Sequence, residues 1–154
     1  MPLNKKTCLG MVDISHKDIT LRRAVAQARI TLSAAAFKAL VTNKSPKGNV
    51  LETARIAAIM AAKSTPAIIP LCHPLALEKV KVECVPVKPK RSVVVTAEIS
   101  CSGKTGVEME ALTAVSAACL TIYDMMKWAG QDMVISDLRL LHKSGGKSGT
   151  FNKR

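Results

Sequence analysis

Aromatic side chains are nearly absent from this chain of 154 residues, which has one Trp, one Tyr and two Phe. Proteins that bind RNA or single-stranded DNA stack bases on aromatic rings, so this scarcity argues against such a function. Lysine and arginine nevertheless outnumber aspartate and glutamate by 23 to 11, giving a formal net charge of +12. Such a surplus attracts anions, and with nucleic acid disfavoured it points to phosphorylated small molecules or acidic membrane surfaces.

The chain also lacks paired cysteine motifs and long apolar runs. Its five cysteines are an odd number without a CxxC pair, which disfavours a disulfide framework and a structural zinc site. No apolar run reaches the length of a membrane span, and the first residues contain no hydrophobic signal-peptide core. We therefore expect a cytoplasmic protein with no metal and no cofactor, in which most cysteines are small core residues.

Two short motifs resemble the end of a nucleotide-binding phosphate loop but lack its beginning. Such a loop needs a glycine five residues before its Gly-Lys-Ser/Thr, and Glu98 and Leu141 occupy those positions ahead of Gly103 and Gly146. A phosphate loop is therefore excluded. A glycine-bearing turn at a helix start still offers N–H groups to an anion, and residues 143–149 (KSGGKSG) have the composition of a phosphate cradle.

Hydrophobic periodicity predicts a single α+β domain with an antiparallel sheet packed on helices. The predicted order is β-α-α-β-β-α-β, the ferredoxin-like pattern with one extra helix. We expect a flexible N-terminal arm at 1–20, a catalytic domain at 21–142 and a Gly/Ser/Lys-rich tail at 143–154 that contributes to phosphate binding. The predicted elements are strands at 24–32, 79–87, 91–101 and 133–141 and helices at 34–42, 50–64 and 107–128.

Side-chain patterns add detail to the three helices. Ser33 and Asn49 are the predicted N-caps of the first two. In the first helix Phe37, Leu40 and Val41 are expected to face inward, and in the second Ile56, Ile59 and Met60 recur at helical spacing. The third helix is small or apolar almost all round, so we expect it to be buried on two faces, the second against another subunit.

Several charged residues are candidates for chemistry, each with a simpler structural explanation. Glu108 and Glu110 suit the positive end of a helix dipole, and in a regular helix they point about 200° apart. Asp124 and Lys127 fit an ordinary ion pair at one helical spacing. Their apolar flanks, however, predict a pair at least partly withdrawn from water, in which the pKa of Lys127 is lowered towards neutrality. His73 beside a proline is by itself more typical of a structural group.

Seven segments in one order carry a family resemblance that spans roughly residues 11–151. The chain resembles cyclic pyranopterin monophosphate synthase, the C protein of molybdenum-cofactor biosynthesis. The fourth and fifth segments, IPLCHPL and GKTGVEMEALTA, are the most specific. The segments are MVDIS (11–15), KGNV (47–50), ARIA (54–57), IPLCHPL (69–75), GKTGVEMEALTA (103–114), LTIYDM (120–125) and KSGGKSG (143–149).

The resemblance implies a lyase that converts cyclic dihydro-GTP, made by a partner radical enzyme, into cyclic pyranopterin monophosphate with release of pyrophosphate. It implies a homohexamer, a trimer of dimers, with active sites between subunits. By the same resemblance the catalytic residues would be Asp124, Lys127, Lys47, His73 and Glu108. Substrate-binding residues would be Leu71, Cys72, His73, Met109, Glu110, Arg22, Lys143 and Lys147.

Two physical arguments bear on this assignment. Glu110 and Asp124 lie ~21 Å apart along one helix, so a single small substrate can reach both only if they come from different subunits. The rival assignment is an RNA-binding module of the same fold. Its third strand would need aromatic residues, and the predicted strand at 91–101 has none. The sequence thus favours the enzyme.

Overall fold

The computed structural model describes residues 9–153 and shows an antiparallel sheet with helices on one face. The strand order is β2-β3-β1-β4-β5, and each neighbouring pair is antiparallel. The predicted ferredoxin-like α+β fold is confirmed. The elements are β1 (Thr20–Thr31), α1 (Ala34–Val41), α2 (Val50–Lys63), α3 (Thr65–Ile68), β2 (Lys79–Val87), β3 (Ser92–Gly103), α4 (Glu108–Met126), β4 (Val134–Ser144) and β5 (Phe151–Asn152).

Small residues form the contact between the central strand and the long helix. Along β1, alternate residues from Ala24 to Ile30 are fully buried, as the two-residue period of a strand requires. Ala111, Ala114 and Ala118 of α4 are likewise fully buried. Alanines on both sides allow the helix to lie close to the sheet, which leaves bulkier residues to fill the rest of the core.

The predicted caps of the first two helices are confirmed. Ser33 accepts a hydrogen bond from the backbone N–H of Ala36 at 3.1 Å, and Asn49 accepts one from that of Glu52 at 3.1 Å. These side chains satisfy backbone donors that have no partner within a helix. Phe37 and Leu40 are buried as expected, whereas the prediction for Val41 was wrong because its side chain is 42% exposed.

The apolar stripe of α2 faces outward. Ile56, Ile59 and Met60 are all exposed, and the buried face of the helix consists of Val50 and four alanines, Ala54, Ala58, Ala61 and Ala62. The reason is the close packing of α2 against α4, which small side chains permit and bulky ones would prevent. The larger side chains therefore form an apolar surface patch.

The ends of the elements differ from prediction in three places. β1 begins four residues before the predicted Ala24, and the predicted tail contains a short strand, β5, that pairs with β4. The long helix ends at Met126 and continues as a 3-10 turn to Ala129. Of the predicted arm, residues 1–8 lie outside the described part, and residues 9–19 contain no helix or strand. No helix within 9–153 is long and apolar enough to cross a membrane.

Cysteines behave largely as core residues. Cys84, Cys101 and Cys119 are buried free thiols, as predicted, and Cys8 lies outside the described residues. Burial raises the pKa of the Cys84 thiol to about 11 and that of Cys119 to about 12. Thiols held in this protonated form are poor nucleophiles, so the chemistry of the protein must lie elsewhere.

Candidate active site

The first cavity, of about 450 Å³, lies beside the first turn of α4. It gathers six of the residues singled out in the sequence, from the irregular connection after α3 and from the start of α4. Proline at positions 70 and 74 breaks that connection and leaves it free to fold against the helix. The six are Leu71, Cys72, His73, Glu108, Met109 and Glu110, and Val12, Ile14, Lys17, Leu75, Thr105 and Gly106 complete the lining.

Glu110 is the buried acid of this cavity. Only 3% of its surface is exposed, and burial, reinforced by the charge of Glu108, raises the pKa of its carboxyl group. The neighbouring Cys72 thiol also has a raised pKa, through burial and then the charge of Glu110. A buried carboxyl with a raised pKa holds its proton closer to neutral pH and is suited to act as a general acid.

Glu108 shares the cavity with Glu110 although the two residues start from opposite sides of the helix. Its side chain folds back over Gly106, where a Cβ atom would collide with the carboxylate. The carboxylate accepts a hydrogen bond from the Lys143 ammonium at 3.1 Å. The length of the side chain, rather than an irregular helix, thus brings Glu108 to the site.

The second cavity, of about 290 Å³, adjoins the first and is basic. Arg22, Lys143 and Lys147 line it together with the glycine-rich turn after β4, and Lys17, Thr105 and Gly106 belong to both cavities. Arg22 is only 8% exposed and its Nε donates to the carbonyl of Gly103 at 3.1 Å. The remaining guanidinium donors and the two lysines leave this cavity well suited to phosphate oxygens.

Gly145 fixes the turn that forms this basic cavity. Its φ of +95° lies in the left-handed region, and a Cβ atom there would collide with the carbonyl oxygen of Leu21. The Thr20 hydroxyl donates to the Gly145 carbonyl at 2.7 Å. Only glycine permits this close approach of two backbones, so the KSGG sequence has a steric origin as well as a chemical one.

A third group of predicted residues lies outside both cavities, at the other end of α4. Asp124 accepts hydrogen bonds from Lys127 at 2.8 Å and from Lys47 at 2.6 Å. These two bonds lower the pKa of the Asp124 carboxyl to about 2. The described chain therefore brings Lys47, Asp124 and Lys127 together but keeps them apart from the residues at the start of α4.

Two expectations about this pair were wrong. Asp124 and Lys127 are about half exposed in this chain, at 51% and 53%, so they are not withdrawn from water. The pKa of Lys127 is raised, not lowered, because its ammonium group donates to and is attracted by the Asp124 carboxylate. The apolar neighbours in the sequence misled the prediction, since Met125 and Met126 point into the core and the charged pair points out.

Sequence reasoning missed the residues that hold these groups in place. The Ser45 hydroxyl donates to the carbonyl of Met125 at 3.0 Å, which ties the loop carrying Lys47 to the end of α4. The His73 ring donates from Nε2 to the carbonyl of Val12 at 2.8 Å, since a carbonyl can only accept. No spacing rule finds such contacts, because each joins residues more than 60 positions apart.

Comparison with known proteins gives the family. The MoaC family model matches residues 11–146, which include most of the chain, all of the first cavity and part of the second. The chain belongs to the MoaC family. Relatives named cyclic pyranopterin monophosphate synthase match over nearly the whole length: the protein of Parvibaculum lavamentivorans is 49% identical over 99% of this chain and 95% of its own. That of Helicobacter hepaticus is 50% identical over 97% and 94%, and that of Rhodospirillum rubrum 52% identical over 92% and 85%.

Proposed function

We propose that this MoaC family member is a cyclic pyranopterin monophosphate synthase. As such it is a lyase of molybdenum-cofactor biosynthesis that converts cyclic dihydro-GTP into cyclic pyranopterin monophosphate and releases pyrophosphate. The observation that carries the proposal is the junction of two unlike cavities, one with a buried acid and one lined by cations. A substrate with a purine-derived ring and a triphosphate needs an acid-bearing cavity for the ring and an adjoining cationic cavity for the phosphates.

The ring chemistry belongs to the first cavity. Opening the purine-derived ring and closing the pyran ring require proton transfers at several atoms. Glu110 supplies a proton from its buried carboxyl, Glu108 lies beside it, and Leu71 and Met109 provide apolar contact for the ring. His73 contributes through Nδ1, because its Nε2 proton is engaged by the Val12 carbonyl.

The phosphate chemistry belongs to the second cavity. Closing a cyclic phosphate expels pyrophosphate, and negative charge grows on the leaving group as the bond breaks. Arg22, Lys143 and Lys147 are placed to stabilise that charge. The Lys143 ammonium group first has to leave the Glu108 carboxylate and bind a phosphate oxygen instead. This change of partner releases the Glu108 carboxylate for proton transfer.

Asp124, Lys127 and Lys47 complete the site from a second subunit. Asp124 lies ~21 Å along α4 from Glu110, farther than one small substrate spans. In the pair with Asp124, Lys127 is a cation, so it acts on the bound substrate as an acid or as a charge rather than as a base.

The exposed Ile56, Ile59 and Met60 of α2, with Leu120 of the adjacent α4, support an assembly in which copies of the chain cover these side chains. We expect a homohexamer, a trimer of dimers, that receives its substrate from the radical enzyme making cyclic dihydro-GTP in the cytoplasm.

The decisive experiment is conversion of purified cyclic dihydro-GTP by wild type, Lys127→Ala and Asp124→Asn, with the pterin product measured by chromatography. Wild type should convert the substrate, and each variant should be at least about a hundredfold slower, the usual cost of removing a positioned acid–base group. Lys90→Ala, which removes an exposed lysine from the turn between β2 and β3, controls for the loss of charge. Inactive wild type, or full activity in both variants, would contradict the proposal.

A further inference from the structure

Lys17 stands where all the cavities around the site meet. It lines the first cavity, the second, basic cavity and a third, smaller cavity of about 140 Å³ next to Thr20 and Gly145. Sequence reasoning did not single it out, since it is one of many lysines and lies in a segment without regular structure. Its position between the first and the second cavity follows from the tertiary fold.

Lys17 belongs to a short segment, Val12–Lys17, that we call the strap, and its residues Val12, Ile14 and Lys17 line the first cavity. The strap has its own turn: the Asp13 carboxylate accepts from the Ser15 N–H at 2.8 Å, and the Lys17 N–H donates to the Ile14 carbonyl at 3.1 Å. These bonds give the strap a definite shape. They do not by themselves attach it to the rest of the domain.

Two side chains from different parts of the chain make that attachment. His73 holds one end by donating to the Val12 carbonyl. Lys104, in the turn between β3 and α4, holds the other by donating from Nζ to the Ser15 carbonyl at 2.8 Å. Ser15 is two residues from Lys17, so this second contact determines where the Lys17 side chain begins. Lys104 itself lines none of the cavities around the site.

We infer that Lys104 is a positioning residue, which fixes the strap so that Lys17 binds the phosphate group at the junction of the two cavities. The inference rests on the proposed function for the identity of the substrate. In that substrate the phosphate at the junction is the one nearest the ring, which stays with the product as the cyclic phosphate. Arg22, Lys143 and Lys147 then hold the two phosphates that leave.

A double-mutant cycle separates positioning from direct binding. The probe is inorganic triphosphate, titrated calorimetrically into wild type, Lys17→Met, Lys104→Met and the double variant. Each single variant should raise the Kd about tenfold, the order expected for one lost charge-assisted hydrogen bond. The double variant should be no weaker than Lys17→Met, because Lys104 acts through Lys17. Lys104→Arg should restore most of the affinity, and Lys90→Met, an exposed lysine far from the site, should change nothing.

Hydrogen exchange of the backbone gives a second readout. Lys104→Met should speed exchange of the strap amides, whereas Lys17→Met should leave them as in wild type. Effects on Kd that add in the double variant would overturn the inference, since they would make Lys104 an independent phosphate ligand. Unchanged affinity in Lys17→Met, unchanged exchange in Lys104→Met, or absence of triphosphate binding by wild type would overturn it as well.

The outcome is distinguishable from failure of the proposed function. Binding and exchange are measured without turnover, and conversion of cyclic dihydro-GTP is measured separately. If the cycle behaves as expected while wild type fails to convert that substrate, the strap assignment stands and the reaction is wrong. If wild type converts the substrate and Lys17→Met binds triphosphate normally, the reaction stands and the role of the strap is refuted.

Discussion

The two ends of α4 carry acids in opposite physical states. At the start of the helix Glu110 is buried, no cation among residues 9–153 forms a salt bridge with its carboxyl group, and its pKa is raised by desolvation. At the far end Asp124 is half exposed and receives hydrogen bonds from two lysines, which lower its pKa to about 2. One helix thus presents a carboxyl group that ionises less readily than an ordinary glutamate and another that ionises more readily than an ordinary aspartate.

The difference shows how position within one helix assigns chemical roles to similar side chains. Burial without a partner favours the neutral carboxylic acid, and pairing with cations favours the carboxylate. A reaction that moves several protons and expels a charged leaving group uses both, one as a proton source and the other to hold a lysine in place. Because a helix keeps its ends apart, the proposed function requires a second subunit to bring the two acids to one substrate.

The strongest test of this comparison mixes subunits in which either Glu110 or Asp124 has been replaced. Glu110→Gln and Asp124→Asn subunits should each be at least about a hundredfold less active alone, as removal of an acid–base group implies. In mixed oligomers half of the pairs are hybrid and one of their two sites carries both native acids, so activity should recover to about a quarter of wild type. No recovery in oligomers shown by mass spectrometry to be mixed would place both acids in one subunit's site.

The comparison also depends on α4 as a rigid spacer, which its core side chains maintain. Ile122 is fully buried, and Ile122→Ala should lower the free energy of unfolding by about 2–5 kcal/mol through lost burial and a residual cavity. Ile68→Ala is the matched control, because that isoleucine is 55% exposed, and it should cost less than about 1 kcal/mol. Urea denaturation measures both, and equal losses would contradict the described packing.

Titration of the two acids should affect stability in opposite directions. Glu110 has a folded-state pKa above its ordinary 4.5, so the folded chain binds this proton more tightly and stability falls as pH rises through that range. Glu110→Gln should therefore gain stability relative to wild type as the pH rises above 4.5. Asp124 stabilises the fold above its ordinary pKa of 3.8, and this contribution is lost as pH falls towards about 2. Urea unfolding of Asp124→Asn should show its deficit shrinking with acid, and parallel pH profiles for the two variants would refute the contrast.

The smallest expected effect concerns the loop that delivers Lys47 to Asp124. Asn49 caps α2 two residues after Lys47, and Asn49→Ala should lower the free energy of unfolding by about 1 kcal/mol. Ser33→Ala removes the equivalent cap from α1 and is the matched control for stability. If the cap also orders the loop, Asn49→Ala alone should reduce activity. Equal activity in the two variants would show that the loop is held by Ser45 instead.

Local patterns in the sequence predicted most of the fold. Strand alternation, the Lys88–Lys90 connection and the caps at Ser33 and Asn49 act over a few residues, and the structure bears them out. The orientation of α2 was not predictable in this way. Its isoleucines lie outside because alanine is needed against α4, a requirement visible only once the two helices are known to touch.

In the candidate site, too, features set by local sequence were predicted and features set by tertiary contacts were not. Residues clustered in the sequence, Leu71 to His73 and Glu108 to Glu110, do line one cavity, and Lys143 and Lys147 line the other with Arg22. The pKa of Lys127 was predicted in the wrong direction because exposure depends on tertiary packing. Lys17 and Ser45 went unnoticed, and Lys104 was considered only as part of the glycine-bearing turn, because their contacts join distant parts of the chain.

The short strand β5 anchors the glycine-rich tail to the sheet. By pairing with β4 through His142 and Lys143, it closes residues 145–150 into a loop with both ends anchored in the sheet. The entropy of closing that loop is lost when the protein folds, not when an anion arrives. The basic cavity is therefore preorganised, and a phosphate that enters it meets donors already in place.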